Sequence, residues 1–225
     1  MKIAVLSDIH GNSYALEETL KVVKNYNITK IFILGDLIGY YYVKDILSQL
    51  NEFDCEIIGG NHEVMLKEIL NGNITLESVT KKYGKGMKNF INNSLEKDIY
   101  FLKNLKTSKE LLIDNLKIGL FHGSPNDVNE YIYPDCNIDK LKKLNNKYDY
   151  IFIGHTHRPF IFSKGNIINV GSVGQNRREG GISSWVIFDT SNETIQFMST
   201  KYDVSKLINE IEEDDLPYIS DILKR

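Results

Sequence analysis

Five short hydrophobic runs mark out the chain, and each predicts a β-strand that is covered on both faces, because polar residues do not alternate within it. The runs are residues 3–6, 31–34, 55–58, 117–121 and 150–153. Apolar residues at helical spacing occupy residues 13–26 and 43–50, between the first three runs. The order strand, helix, strand, helix, strand predicts a parallel sheet with right-handed crossovers.

The segment after the third run differs, because it contains amphipathic patterns and no strand-like run. One such pattern, Leu95, Ile99 and Leu102, follows a candidate helix cap at Ser94. We therefore predict a helical insertion over about residues 63–109, and we expect it to lie over the functional site.

Three pairs of runs in the second half flank turn residues and predict β-hairpins. The turns are Asp114-Asn115, residues 164–166, and the link between residues 184–188 and 194–198. The second half is therefore expected to build an antiparallel or mixed sheet. A C-terminal helical segment over about residues 204–225, with an acidic stretch at 212–215, is predicted to dock on the body or on a second subunit, which would make a homo-oligomer. No linker splits the chain, so we predict one domain over residues 1–225.

Polar residues that can bind metal ions follow all five runs. They are Asp8 and His10, then Asp36, then Asn61 and His62, then His122, and finally His155 and His157. The chain has five histidines, and all of them are in this set. Carboxyl ends of strands form the edge of an α/β sheet where ligands bind, so we expect these side chains to meet there. One histidine beside a strand is usually a packing residue, but packing does not explain all five.

The donor atoms indicate the kind of metal. Asp8-Ile9-His10 and His155-Thr156-His157 are pairs that point to one face if the backbone is extended. Two carboxylates, one carboxamide and four imidazoles suit Mn, Fe, Zn, Ni or Co rather than Ca, and the set lacks the thiolates of a structural zinc site. Seven ligands exceed what one ion with an open position uses. We predict two divalent transition-metal ions that share a carboxylate, with Mn²⁺ as the first expectation.

Composition and charge limit the partners. The chain has 225 residues, 42% of them hydrophobic and 25% charged, as in an ordinary globular protein with its own core. A net charge of -3 provides no field to hold long DNA or RNA. Cys55 and Cys136 match no disulfide framework. The start resembles no secretory leader and no apolar run reaches 18 residues. We therefore expect a cytoplasmic protein, without a membrane partner, that acts on a small molecule.

The chain resembles the calcineurin-like metallophosphoesterase superfamily, in particular its small YfcE-like phosphoesterase branch. The motifs are Asp8-Ile9-His10, Gly35-Asp36, Gly59-Gly60-Asn61-His62-Glu63, His122-Gly123 and Gly154-His155-Thr156-His157. The segment from Asn169 to Gln175 resembles a further signature of that branch. Any one motif is weak, whereas the ordered set is specific. The resemblance implies an α/β fold, a four-layer α/β/β/α sandwich of two mixed sheets.

The resemblance also implies a role for each site residue. Asp36 would bridge two metal ions, one held also by Asp8, His10 and His157 and the other by Asn61, His122 and His155. His62 would stay off the metals as the catalytic residue that protonates or stabilises the leaving oxygen. The alternatives for His62 are a further metal ligand and a structural donor. The implied reaction is hydrolysis of small phosphodiesters, phosphomonoesters or both by a hydroxide that bridges the ions.

Four more side chains are candidates for substrate binding, and each has a structural alternative. Arg177 and Arg178 could clamp phosphate oxygens, or be exposed charges or subunit contacts. Asn12 could bind a substrate oxygen, or cap the helix that begins near Ser13. Tyr40 could stack on an aromatic leaving group, or belong to a packing cluster.

Two alternative functions stay open. Phosphoprotein phosphatases and symmetric dinucleoside polyphosphate hydrolases carry an arginine shortly after the bridging aspartate, where this chain has Tyr40. A dinucleoside polyphosphate hydrolase or phosphoprotein phosphatase is therefore the weaker enzymatic alternative. A non-catalytic scaffold subunit of the same fold belongs to another class. The intact ligand set argues against it, because a scaffold does not need seven clustered polar groups.

Overall fold

A computed structural model describes residues 1–42, 45–135, 147–162, 166–211, 213 and 215–225. Its first mixed sheet has the order β10-β9-β1-β2-β3. The strands are β1 (Lys2–Leu6), β2 (Lys30–Ile33), β3 (Asp54–Ile57), β9 (Ile182–Asp189) and β10 (Thr194–Lys201). The first three run parallel, β9 pairs antiparallel with β1, and β10 pairs antiparallel with β9.

The second mixed sheet has the order β4-β5-β6-β8-β7. Its strands are β4 (Ser108–Ile113), β5 (Leu116–Phe121), β6 (Tyr150–Ile153), β7 (Phe160–Phe162) and β8 (Ile167–Asn169). Here β5, β6 and β8 run parallel, and β4 and β7 pair antiparallel at the two edges. Asp114 and Asn115 both have positive φ in the turn from β4 to β5, as a tight two-residue hairpin requires.

Helices pack outside the first sheet. They are α1 (Ser13–Asn25), α2 (Ile46–Leu50), α3 (Asn61–Leu70), α4 (Leu76–Tyr83), α5 (Gly86–Asn93) and α6 (Glu96–Lys103), followed near the end of the chain by α7 (Val204–Ile208), α8 (Pro217–Asp221) and a 3-10 helix (Ile222–Lys224). One core cluster joins Leu6 and Ile33 of the first sheet to Leu16 of α1 and Phe90 of α5. None of the helices in the described ranges has the length and apolar character needed to cross a membrane.

The two sheets pack face to face across a second core cluster. Val5 and Phe32 come from the first sheet, and Ile118 and Phe152 come from the second. A third cluster, which includes Ile132, covers the opposite face of the second sheet. Burial on both faces explains why these strands lack polar alternation. The predicted α/β fold with two mixed sheets is confirmed.

Several predicted details are wrong. The hairpin β9–β10 extends the first sheet, although the second half of the chain was expected to form its own sheet. Helices α3 to α6 occupy the insertion predicted over about residues 63–109, and strand β4 already begins at Ser108, near its end. Ser94 ends α5, and α6 follows Leu95 without a side-chain cap. The start of the helix predicted at 43–50, the turn at 164–166, the acidic stretch at 212–215 and Cys136 lie wholly or partly outside the described residues.

Candidate metal centre

The carboxyl ends of β1, β2 and β3 in one sheet lie beside those of β5 and β6 in the other, as the contacts of His122 with Leu34 O and of His155 N with Asp8 show. The loops that follow these strands carry the seven predicted ligands into one place. We call this set the floor of the site: Asp8, His10, Asp36, Asn61, His122, His155 and His157. Every one of them is buried, with Asn61 the most accessible at 6%. The structure therefore brings together all seven residues, and their role as ligands stays a prediction.

One half of the floor gathers Asp8, His10 and His157. The Asp8 Oδ1 atom lies 3.1 Å from His157 Nε2 and 3.6 Å from His10 Nε2. The two imidazole Nε2 atoms are 3.0 Å apart. Ligand atoms of the three residues all lie within 4.8 Å of one another, which is the size of a metal site.

The other half gathers Asp36, His122, His155 and Asn61. His122 Nε2 lies 3.2 Å from Asp36 Oδ2 and 3.0 Å from Asn61 Oδ1. His155 completes a second group of ligand atoms within 4.8 Å. Because Asp36 Oδ2 is also 3.8 Å from His10 Nε2, this one carboxylate reaches both halves of the floor.

Ring nitrogens of three histidines are oriented for metal binding. His122 Nδ1 lies 2.7 Å from Leu34 O, His157 Nδ1 lies 2.7 Å from Gln175 O, and His155 Nε2 lies 3.1 Å from Asn129 O. A carbonyl accepts only from a protonated nitrogen, so the other nitrogen of each neutral ring carries a lone pair toward the floor. Metal-binding histidines characteristically donate their second N–H in this way.

The floor has too many acceptors for its donors. Asp8 Oδ1 faces the lone pair of His157 Nε2, and Asp36 Oδ2 faces that of His122 Nε2. Within the described part of the chain, Asp8 Oδ1 is buried without a hydrogen bond. Buried acceptors that face one another are unfavourable unless a cation or a proton lies between them. The donor set thus fits a divalent ion in each half.

The pKa shifts of Asp8 and His122 also indicate that the floor favours positive charge. Burial opposes ionisation of Asp8, but the nearby imidazoles of His157, His10 and His122 hold its pKa well below the usual range. Burial would lower the pKa of His122, whereas Asp36 raises it to about 9. A proton and a metal ion compete for the same imidazole lone pair, so metal binding would release that proton.

Five residues of the floor have left-handed backbone. The φ angles are 55° for Asp8, 53° for His10, 54° for Asp36, 65° for His155 and 58° for His157. The expected extended backbone in the two i, i+2 pairs is therefore wrong. A non-glycine residue in this conformation costs about 1–3 kcal/mol of backbone strain. It persists where the surrounding structure holds it, as at active sites. Aspartate and histidine tolerate this region better than most residues.

Glu63 positions the loop of Asp36, a role that its place in the motif did not predict. Its carboxylate accepts hydrogen bonds from the backbone N–H groups of Asp36, Leu37, Ile38 and Gly60, at 2.8 to 3.2 Å. In turn, Asp36 Oδ1 accepts from His62 N, 2.9 Å away in the first turn of α3. A Cβ atom at Gly60 would overlap Asp36 Oδ1, so only glycine fits there. The motif contained Glu63, and only the folded loop shows its partners.

Residues 169–175, which begin at the end of β8, hold the loops that carry the floor. Asn169 Nδ2 donates to Gly154 O, 2.6 Å away, and to Thr156 Oγ1, 3.0 Å away. Ser172 Oγ donates to Asp8 O at 2.8 Å, and Gln175 O accepts from His157 as described above. The further signature of the sequence thus orients the loops that carry the metal-binding side chains.

His62 lies at the floor with aromatic rings around it. Its ring centroid is 4.9 Å from that of His10, 5.2 Å from Tyr40 and 5.1 Å from Tyr83. Burial is the main reason that its pKa falls to about 3, so the ring is neutral. Its ligand atoms also form a metal-sized group with those of His10 and Asp36. The geometry therefore leaves both predicted roles open, substrate contact and metal ligand.

A cavity of about 190 Å³ opens above the floor. Six side chains line its upper part, and we call them the rim: Tyr40, Lys82, Tyr83, Asn129, Tyr131 and Arg177. Tyr131 stacks on His155 with ring centroids 4.0 Å apart. A larger groove of about 570 Å³ lies beside α2 and α5, but the described residues that line it include no histidine. The candidate metal-binding side chains therefore belong to the smaller cavity.

The candidate substrate contacts separate into two groups. Arg177 and Tyr40 lie in the rim, as expected. Arg178 is exposed and is not among the described residues of the cavity wall, so its prediction as a substrate contact is not supported. Asn12 caps α1, because its Oδ1 accepts from Ala15 N, and its Nδ2 donates to Gly174 O. Both polar groups of Asn12 are occupied, so the capping alternative describes this residue.

Four rim residues were not among the predicted site residues: Lys82, Tyr83, Asn129 and Tyr131. Lys82 and Tyr83 lie at the end of α4. Asn129 and Tyr131 lie in the loop that follows β5, well past the histidine at the end of that strand. No motif or spacing marks them. Only the packing of those segments against the floor makes them part of the site.

Comparisons with known proteins identify the family. Residues 1–193 match the calcineurin-like phosphoesterase superfamily domain. The uncharacterized protein MJ0912 from Methanocaldococcus jannaschii is 33% identical over 241 residues, covering 96% of this chain and 93% of that protein.

Solved structures share the fold. Hypothetical protein PH1004 from Pyrococcus horikoshii OT3 superposes with a TM-score of 0.87 at 17% identity, covering 100% of this chain and 98% of that one. A metallophosphoesterase from Sphaerobacter thermophilus gives 0.74 at 21% identity, covering 99% and 98%. Yfce, a phosphoesterase from E. coli, gives 0.50 at 18% identity, covering 90% and 100%. The chain belongs to the calcineurin-like phosphoesterase superfamily, and YfcE-like phosphoesterases are among its structural neighbours.

Proposed function

We propose that this protein is a dinuclear metal-dependent phosphoesterase that hydrolyses small phosphodiesters, phosphomonoesters or both. One observation carries the proposal: seven buried side chains converge in two groups, and the Asp36 carboxylate belongs to one group and lies 3.8 Å from His10 of the other. Family membership supports the same class of reaction. Burying so many acceptors together is costly, and cations offset that cost.

Each half of the floor would hold one divalent ion. Asp8, His10 and His157 would bind the first, Asn61, His122 and His155 the second, and Asp36 both. Mn²⁺ is the first expectation, and Fe, Zn, Ni and Co suit the same donors. Such ions supply positive charge for phosphate oxygens and lower the pKa of water to about 7, which provides a nucleophile at neutral pH.

The side chains above the floor would bind and orient the phosphoester. The Arg177 guanidinium reaches the cavity with a planar set of donors, which can bind two phosphate oxygens at once. The neutral His62 ring lines the cavity and carries one N–H, which can donate to the leaving oxygen when it stands on Nε2, the nitrogen that lies 3.9 Å from Asp36 Oδ2 at the floor. In that state His62 stabilises the leaving group without transferring a proton.

The shape of the cavity supports a small substrate. Its volume of about 190 Å³ is below the roughly 300–1,000 Å³ of sites that enclose drug-sized ligands. Tyr40 packs edge-on against His10, with ring centroids 4.7 Å apart, so an aromatic ring takes the place where related phosphoprotein phosphatases carry arginine. The site therefore suits a phosphate group with a small substituent better than a dinucleoside polyphosphate.

Hydrolysis of bis(p-nitrophenyl) phosphate and p-nitrophenyl phosphate tests the proposal. The chelated protein should be inactive, and Mn²⁺ should restore activity with two ions bound per chain. Asp36→Asn should lower the rate by at least about 10²- to 10³-fold, because it removes the shared charge. Asp98→Asn, on helix α6, is the matched control and should retain full activity. A fully metallated protein that cleaves no mono- or diester in a broad panel would favour the scaffold alternative.

A further inference from the structure

The last part of the chain packs against the site, although it lies beyond the residues that match the family. The family match ends at residue 193. We call residues 215–225 the tail. Its apolar residues Ile219, Ile222 and Leu223 share a core cluster with Tyr40 and Tyr41, which follow β2. The tail is therefore anchored beside the cavity.

One side of the tail holds the end of α4. Tyr218 OH donates to Lys82 O over 2.8 Å, and the Asp215 carboxylate accepts from Lys85 N over 3.2 Å. Gly84, between these contacts, has a φ of +83°. A Cβ atom at Gly84 would overlap Ile219 Cδ1, so the tail and the helix end are in close contact. This helix end supplies Lys82 and its neighbour Tyr83 to the rim.

The other side of the tail holds the loop that carries Arg177. Arg225 Nη1 donates to Arg177 O over 3.1 Å, and Gly180 N donates to Arg225 O over 3.1 Å. A Cβ atom at Gly180 would overlap Leu223 O. Two backbone segments that are nearly one hundred residues apart in sequence are thus joined by the same short stretch of chain.

Each of these two segments contributes one positive charge to the cavity. Lys82 and Arg177 both line it, and the Lys82 Nζ atom lies 4.7 Å above the ring of Tyr83. The ring of Tyr83 in turn packs edge-on against His62. A long cationic side chain binds an anion well only if its backbone is held at the right place, because otherwise binding must order it.

We propose that the tail positions Lys82 and Arg177 as two cationic contacts for the substrate phosphate, with Tyr218 and Arg225 as positioning residues. The inference rests on the proposed function, since it assigns the anion-binding rim of that site. It predicts that the tail controls affinity for the phosphoester, while the floor alone controls metal binding.

The test uses Tyr218→Phe and Arg225→Ala in the full chain. Affinity for inorganic phosphate is measured by calorimetry on the Mn²⁺-loaded protein, next to KM and kcat for bis(p-nitrophenyl) phosphate. Losing one hydrogen bond should weaken phosphate binding and raise KM roughly three- to tenfold in each variant. Values of kcat should change less than about twofold, and Mn²⁺ affinity should stay the same. Tyr100→Phe on α6 and Lys224→Ala in the tail are matched controls and should behave as wild type.

A double-mutant cycle separates positioning from a general loss of stability. In an Arg177→Ala background, Arg225→Ala should have almost no further effect on phosphate affinity, because both changes act through one guanidinium. Additive losses, or phosphate affinity and KM equal to wild type in both tail variants, would overturn the inference alone. A wild-type protein that binds Mn²⁺ but no phosphate would overturn the inference and the proposed function together.

Discussion

The floor of the site comes from the ends of strands in two sheets, whereas the rim comes from a helix end and loops outside them. Floor side chains are all buried, and backbone hydrogen bonds hold their loops, for example His10 N to Asp36 O at 2.8 Å and Gly174 N to Asp8 O at 2.9 Å. Five of the six rim side chains are partly open, with Tyr131 46% exposed, and Tyr40 is buried.

This difference separates the chemistry from the choice of substrate. The floor lies on loops that backbone hydrogen bonds tie to one another at the ends of both sheets, so a change there disturbs several loops at once. The rim depends on a few hydrogen bonds to the tail, which packs in a smaller core cluster of its own with Tyr40 and Tyr41. Substrate preference can therefore change at the rim while the metal-binding residues stay the same.

Glu63→Gln should produce the largest effect, because Glu63 organises the floor. The amide nitrogen would face two backbone N–H groups that now donate to a carboxylate oxygen. We expect metal affinity to fall about 10- to 100-fold and the free energy of unfolding to fall by about 2 kcal/mol. Metal titration and urea denaturation measure both. Glu77→Gln on α4 is the control, and equal behaviour of the two variants would refute the positioning role.

Arg177→Ala should produce an intermediate effect that is confined to substrate binding. We expect KM to rise about tenfold, because a charge-assisted hydrogen bond to phosphate is lost, while metal affinity is unchanged. Arg178→Ala is a matched control, since the neighbouring guanidinium is exposed away from the cavity. Steady-state kinetics measure KM for both variants. If the two variants have the same KM, the rim does not bind phosphate through Arg177.

Asn12→Ala should have the smallest kinetic effect. Its cap on α1 is lost, so the free energy of unfolding should fall by about 1 kcal/mol. We expect KM and kcat to stay within about twofold of wild type. Thermal or urea denaturation and steady-state kinetics are the measurements. A tenfold rise in KM with unchanged stability would instead restore Asn12 as a substrate contact.

The local hydrophobic pattern predicted the strands well, because a strand that is buried on both faces has an uninterrupted run of apolar residues. All five hydrophobic runs became strands within one residue of the predicted bounds. Pattern did not predict that β9 would join the first sheet beside β1, since strand pairing depends on partners almost 190 residues apart. It also missed the left-handed backbone at Asp8 and His157, which contacts between loops impose.

The sequence by itself determined which residues could bind metal, because histidine and aspartate after each buried strand are costly without a chemical purpose. It also determined the α/β class, through the length and hydrophobicity of the runs. Only the tertiary structure decided that the carboxyl ends of strands from two sheets lie side by side at one end of the sandwich. It alone joined Lys82, Tyr131 and Arg177 above the floor, because their contacts link distant segments and leave no period or spacing in the chain.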